Sequence, residues 1–95
     1  MTTIPYVAYQ DGYNATVQKL VSGSWTVVGT AGFSAGSATY TSLAIDSTDT
    51  PYVAYQDGSN SSKATVQKLV SGSWTVVGTA GFSAGAAIYT SLAIG

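Results

Sequence analysis

The sequence predicts an all-β chain folded as two tandem copies of one four-stranded unit. Three observations carry that prediction. The chain repeats itself: Pro5-Tyr6-Val7-Ala8-Tyr9-Gln10-Asp11-Gly12 returns unchanged as Pro51 to Gly58, and Ala15 to Ile45 returns as Ala64 to Ile94 with only Ser37→Ala86 and Thr39→Ile88 changed. Its apolar residues fall in short runs rich in Val, Tyr and Trp between Gly and Ser turns, with no sustained helical period. Hydrophobic residues make up 45% of the chain and charged ones 7%, while Ser and Thr together number 26, a mixture suited to strands covered on both faces.

The elements follow in order. Pro5 to Asp11 reads as a strand behind a Pro, which a first strand position tolerates. Asp11-Gly12 is a turn dipeptide. Ala15 to Val21 alternates Val17, Lys19 and Val21 against Thr16, Gln18 and Leu20, and Ser22-Gly23-Ser24 turns the chain again. Trp25 to Thr30 is a third strand, a Gly/Ala/Ser crossing around Phe33 follows, and Tyr40 to Ile45 is a fourth. Asp46 to Thr50 then turns into the second copy. The repeat offset is 46 before the Asp-Gly turn and 49 after it, which places three extra residues within 59–63, at an exposed loop tip.

Four short strands every 46 to 49 residues fit a β-propeller blade, whose repeats run about 40 to 50 residues. A seven- or eight-stranded sandwich is the alternative, although it has no need of the same long crossing twice. The expected organisation is a first blade repeat at 1–50, with its last strand serving the next blade, and a second at 51–95. Ser-Leu-Ala-Ile-Asp at 42–46, Pro-Tyr-Val-Ala-Tyr-Gln-Asp at 51–57, Ala-Thr-Val-Gln-Lys at 64–68 and Trp-Thr-Val-Val-Gly at 74–78 resemble bacterial β-propeller repeat proteins and the symmetric designer propellers built from such repeats. The likeness lies in the blade pattern and spans almost the whole chain. It departs from two propeller classes, since the Trp-Asp dipeptide of WD40 blades and the aspartate box of sialidase blades are both missing.

In a propeller, 41–45 is the innermost strand of a blade, with 51–57, 64–70 and 74–79 running outward. The first copy therefore begins one strand late at Pro5, and the second ends on a lone inner strand, Tyr89 to Ile94. Bare sheet edges invite pairing with another chain, and head-to-tail contacts that close by rotation make rings. The expected partner is the chain itself, as a homo-oligomer of about three to five copies and so about six to ten blades, in or near the known propeller range. Small residues on the strands (Ala8, Ala15, Ala44, Ala54, Ala64, Ala93) allow close blade approach and favour four copies.

The composition limits chemistry. A net charge of −1, with Lys19, Lys63 and Lys68 unclustered, offers nothing to nucleic acid or an anionic membrane. No apolar run reaches the roughly 18 residues of a membrane helix, and Met1 to Pro5 lacks the regions of a signal peptide, so a soluble chain is expected. With neither Cys nor His, disulfides, thiolate metal sites and the commonest general base are all missing. Asp11 and Asp57 each precede a hairpin Gly and read as turn residues, while Asp46 and Asp49 share a turn whose two carboxylates and hydroxyls make a poor calcium cage. Gly-Phe-Ser-Ala-Gly at 32–36 and 81–85 spells a nucleophile elbow without its strand-turn-helix context or triad partners. No catalytic residue, cofactor or metal is expected.

The aromatic set, Tyr9, Tyr55, Trp25, Trp74, Phe33 and Phe82, repeats with the blade. It reads either as core between blades or as repeated pockets for neutral glycans. Two functions follow: a self-assembling structural scaffold without catalysis, or a multivalent carbohydrate-binding ring that gains avidity from repeated weak sites.

Overall fold

The structure, a computed structural model, describes residues 4–88 and 90–94. It is all-β, with two antiparallel sheets. β1 (Tyr6–Asp11), β2 (Asn14–Val21) and β3 (Ser24–Val27) form the first, in the order β1-β2-β3. β4 (Ala38–Ile45), β5 (Pro51–Asp57), β6 (Lys63–Val70) and β7 (Ser73–Val76) form the second, in chain order. The second sheet has the four strands of the expected unit. The first has three, and among the described residues β1 pairs only with β2.

Local chemistry sets the boundaries. Ser22 and Gly23 (φ 49° and 82°) join β2 to β3 as a two-residue loop, and Ser71 and Gly72 repeat it with the same angles. Both residues at positive φ give the turn that matches the twist of a hairpin. The third strand stops at Val27, short of the expected Thr30: Val28 N still donates to Val17 O at 2.9 Å, and the chain then bends away at Gly29 (φ 74°). β4 begins at Ala38, two residues earlier than the pattern at Tyr40 suggested, and a bulge between Thr39 and Ser42 carries Tyr40 at φ 54°. Such a bulge hides the alternation that sequence reading relies on.

The crossing from β3 to β4 is pinned to β2 by hydroxyls. Thr16 Oγ1 accepts from Gly32 N at 2.8 Å, Ser34 Oγ accepts from Ala15 N at 3.0 Å and donates to Gly36 O at 2.7 Å, and Phe33 N donates to Ala15 O at 2.9 Å. The second copy keeps the same bonds through Thr65, Ser83 and Phe82. Thr16 and Thr65 are therefore buried without an unmet polar group.

The three extra residues do not make a bare tip. The β5–β6 loop holds a 3-10 turn, Gly58–Asn60, followed by Ser61 and Ser62 in the left-handed region. Gly58 N donates to Ser37 O at 2.7 Å and Ala87 N to Ser62 O at 2.8 Å, so the loop joins the crossings on both sides of its sheet.

The core lies between the sheets. Ala15, Val17 and Val28 from the first meet Val53 and Tyr55 of the second, with Leu43, Leu69 and Trp74 packed around them. At ~25 cal/mol per Å² of apolar surface covered, this layer is the main force holding the sheets together.

The final segment was expected as a strand from Tyr89 to Ile94. Tyr89 lies outside the described residues, and 90–94 form no ladder. They lie beside β4, where Thr90 Oγ1 donates to Tyr40 O at 2.9 Å and Leu92 N to Ser42 Oγ at 3.0 Å.

Candidate assembly interface

The two copies are almost the same sequence in different surroundings, so each residue can be compared with its twin. Val53 is fully buried, whereas Val7 is 41% exposed. Val28 is 6% exposed and its twin Val77 36%. Trp74 is half-buried while Trp25 is 52% exposed, and Phe33 is half-buried while Phe82 is 56% exposed. Chemistry cannot explain these pairs, because the side chains are the same; only the neighbour differs. Val28 and Phe33 have a sheet in front of them, and Val77 and Phe82 do not.

The contact that covers Phe33 is specific. Its ring stacks on Trp74 with centroids 4.3 Å apart and planes 14° from parallel. The indole Nε1 of Trp74 donates to Val28 O at 2.9 Å, across the sheets. Gly29 makes room: a Cβ there would lie 2.7 Å from Trp74 Nε1 and 2.9 Å from its Cδ1. A tryptophan thus sits over a glycine, bonded to one carbonyl and stacked on one ring, a combination of hydrogen bond and aromatic contact that fixes its orientation.

At the twin position none of the described residues lies within 4 Å of where a Cβ on Gly78 would be. There a groove of about 420 Å³ runs over the second sheet, lined by Tyr52, Val66, Val77, Gly78, Phe82 and Leu92 among others. Leu92 repeats Leu43, which packs against the core containing Val17 and Val28. The last segment borders this groove through Leu92 while its bonds run to Tyr40 O and Ser42 Oγ of β4.

The other sequence candidates take structural places. Asp57 is buried; its carboxylate accepts from Thr65 Oγ1 at 2.7 Å, Ser59 Oγ at 2.7 Å, Ser59 N at 3.1 Å and Asn60 Nδ2 at 2.8 Å. Burial pushes its pKa up, but the donors from Thr65, Ser59 and Asn60 together outweigh that and leave it below the usual 3.8. Its twin Asp11 is exposed and accepts only a long bond from Thr16 Oγ1, 3.3 Å. Asp46 Oδ1 closes its turn by accepting from Thr48 N, Thr48 Oγ1 and Thr50 N, and the bonds from Thr50 and Thr48 lower its pKa. Asp49 takes the left-handed position of that turn, φ 64°. Among the described residues no cluster of three carboxylates could hold a metal. Lys19 and Lys68 sit in ladders opposite Tyr6 and Tyr52, and Lys63 opposite Asp57. Ser34, in the elbow-like run, is 4% exposed and already bonded in both directions.

Of the repeated aromatics, Tyr9, Tyr55, Phe33 and Trp74 have partners within the chain, whereas Trp25 and Phe82 are exposed. Tyr55 is 1% exposed, its hydroxyl accepting from Gln67 Nε2 at 2.8 Å, and burial raises its pKa. Tyr9 accepts from Gln18 Nε2 at 2.7 Å. Phe33 and Trp74 cover each other. What the sequence reading missed is the open groove and the roles of Gly29 and Gly78, for identical residues carry no mark of which copy is covered.

Comparison with profiles of known protein families, with characterised proteins and with solved structures finds no match.

Proposed function

We propose that the chain is a self-assembling fragment of a β-propeller, a homo-oligomeric scaffold with no catalytic role, in which about four copies close into a ring of about eight blades, within the known propeller range. The observation that carries this reading is the unequal pairing of the two sheets. β5 is flanked on both sides, by β4 and β6, while among the described residues β1 is paired only with β2. The sequence that forms β4 recurs at 87–94, where the described residues form no ladder. Transferring the β4–β5 register sets Leu92 opposite Val7 and Ala93 opposite Tyr6 of the next copy, as Leu43 lies opposite Val53 and Ala44 opposite Tyr52. A donated strand would complete the first sheet and remove its bare edge.

Native mass spectrometry tests it. The expected result is one closed species of about three to five copies, four preferred, in line with head-to-tail closure. Deleting residues 88–95 is expected to yield monomer or aggregate, and moving 89–94 to the front of the chain to restore a ring. A parent chain that stays monomeric at high concentration refutes the reading.

A further inference from the structure

We infer that the exposed Trp25 is the anchor of a docking contact between copies, seated over Gly78 and against Phe82 of the neighbouring chain. The inference rests on the assembly reading above and adds to it a side-chain contact in the groove that Leu92 and Ile94 of the exchanged strand also line. The internal junction supplies the template. Trp74 reaches the first sheet with its Nε1 on Val28 O, its ring on Phe33 and Gly29 beneath it. Each of those three groups has a twin on the far face of the second sheet: Val77, Phe82 and Gly78. Each twin is uncovered, at 36% exposure for Val77, 56% for Phe82 and open space at Gly78. The twin of the tryptophan, Trp25, is itself 52% exposed on the opposite face of the molecule.

Tab and socket are thus present once each on every chain, on opposite faces, both unused. Such a contact is heterologous and propagates from copy to copy. Its occupant is a second copy, because the chain already makes this contact with itself between Trp74 and Phe33, residue for residue. Gly78, like Gly29, stands at φ 74°, so the twin site keeps the same backbone as well as the same side chains. In the docked state Trp25 Nε1 donates to Val77 O, and its indole stacks on Phe82.

The experiment uses the full chain and two variants, Trp25→Ser and Phe82→Ser, both at positions exposed within one chain. Each is expected to weaken each junction by roughly thirtyfold or more, the ~2 kcal/mol of a central aromatic anchor converted at tenfold per 1.4 kcal/mol. Sedimentation should then show small species where the parent shows a ring, with unchanged circular dichroism. An equimolar mixture of the two variants should form a dimer, since one junction can still join the intact Trp25 of one to the intact Phe82 of the other. Acrylamide quenching of the parent against Trp25→Phe should show Trp25 protected in the assembled state. If the parent assembles but both variants keep its mass and Trp25 stays open to quencher, this contact is wrong while the strand-exchange reading stands. If the parent never assembles, both fall together.

Discussion

Replacing Gly29 and Gly78 by alanine, one at a time, separates backbone strain from contact between the sheets. Both glycines stand at φ 74°, so both substitutions place an L side chain in the left-handed region, at a cost of ~1–2 kcal/mol. They differ in what the new methyl meets. At Gly78 there is open space, whereas at Gly29 the methyl would lie 2.7 Å from Trp74 Nε1 and 3.2 Å from Leu69 Cδ1. The indole must move, which lengthens its 2.9 Å bond to Val28 O and lifts it from Phe33. A hydrogen bond is worth about 1 kcal/mol net and an aromatic pair about 0.5–1.5, so Gly29→Ala should cost about 2 kcal/mol more than Gly78→Ala. The assay is urea unfolding, with Trp25→Ser present throughout so that no neighbouring copy can bring a tryptophan to Gly78. Adding Trp74→Ala should erase the difference. Equal losses for the two alanines while Trp74 is intact would refute the claim that this indole determines the fit of the sheets.

Further tests reach the polar interior and the core. Asp57→Asn should cost about 1–3 kcal/mol in denaturant unfolding, since an amide sets donors against donors, while Asp11→Asn should be near neutral. Because the folded pKa of Asp57 is depressed, its contribution is fully present above the unfolded value near 3.8 and is lost as the pH falls through the lower folded value; the gap between parent and Asp57→Asn should therefore start to narrow as the pH falls below about 4 and close only below the folded value. Ser34→Ala should cost about 1–3 kcal/mol by leaving Ala15 N buried and unmet, and Ser83→Ala less, because Ser83 is only half-buried; melting curves of the two variants would show the order. A double-mutant cycle between Phe33→Leu and Trp74→Leu should return a coupling of about 0.5–1.5 kcal/mol, and additive losses would deny the stack any energy beyond area.

Much of this architecture is legible in the sequence because turn chemistry is local. Ser22-Gly23 and Ser71-Gly72 announce their hairpins, and the strands they join lie within a few residues of expectation. The departures have physical causes that no pattern displays. β3 ends early because the chain bends at Gly29 just after Val28 joins the core, and β4 starts early because a bulge at Tyr40 breaks the alternation. The loop at 58–62 reads as an exposed tip, and Ser59 and Ser61 are exposed, but the pattern does not show that Asp57 gathers its donors and that both crossings bond to it. The site was the least legible part. Trp25 and Trp74 stand in the same local sequence, and only the folded chain reveals that one of them has a partner sheet and the other faces solvent.

The loop at 58–62 has a use beyond its own packing. Nearly everything else in the chain comes twice, but this loop comes once, with the shorter Gly12-Tyr13 turn in its place on the first sheet. It is an index mark on an otherwise repeating object. A spin label or fluorophore at the exposed Ser61 would be displayed once per chain, so distances between labels would report the spacing of chains and not of blades. The same asymmetry gives any ordered array of copies a readable direction, and it offers one graft point per chain at which a peptide could be displayed with a period of two sheets.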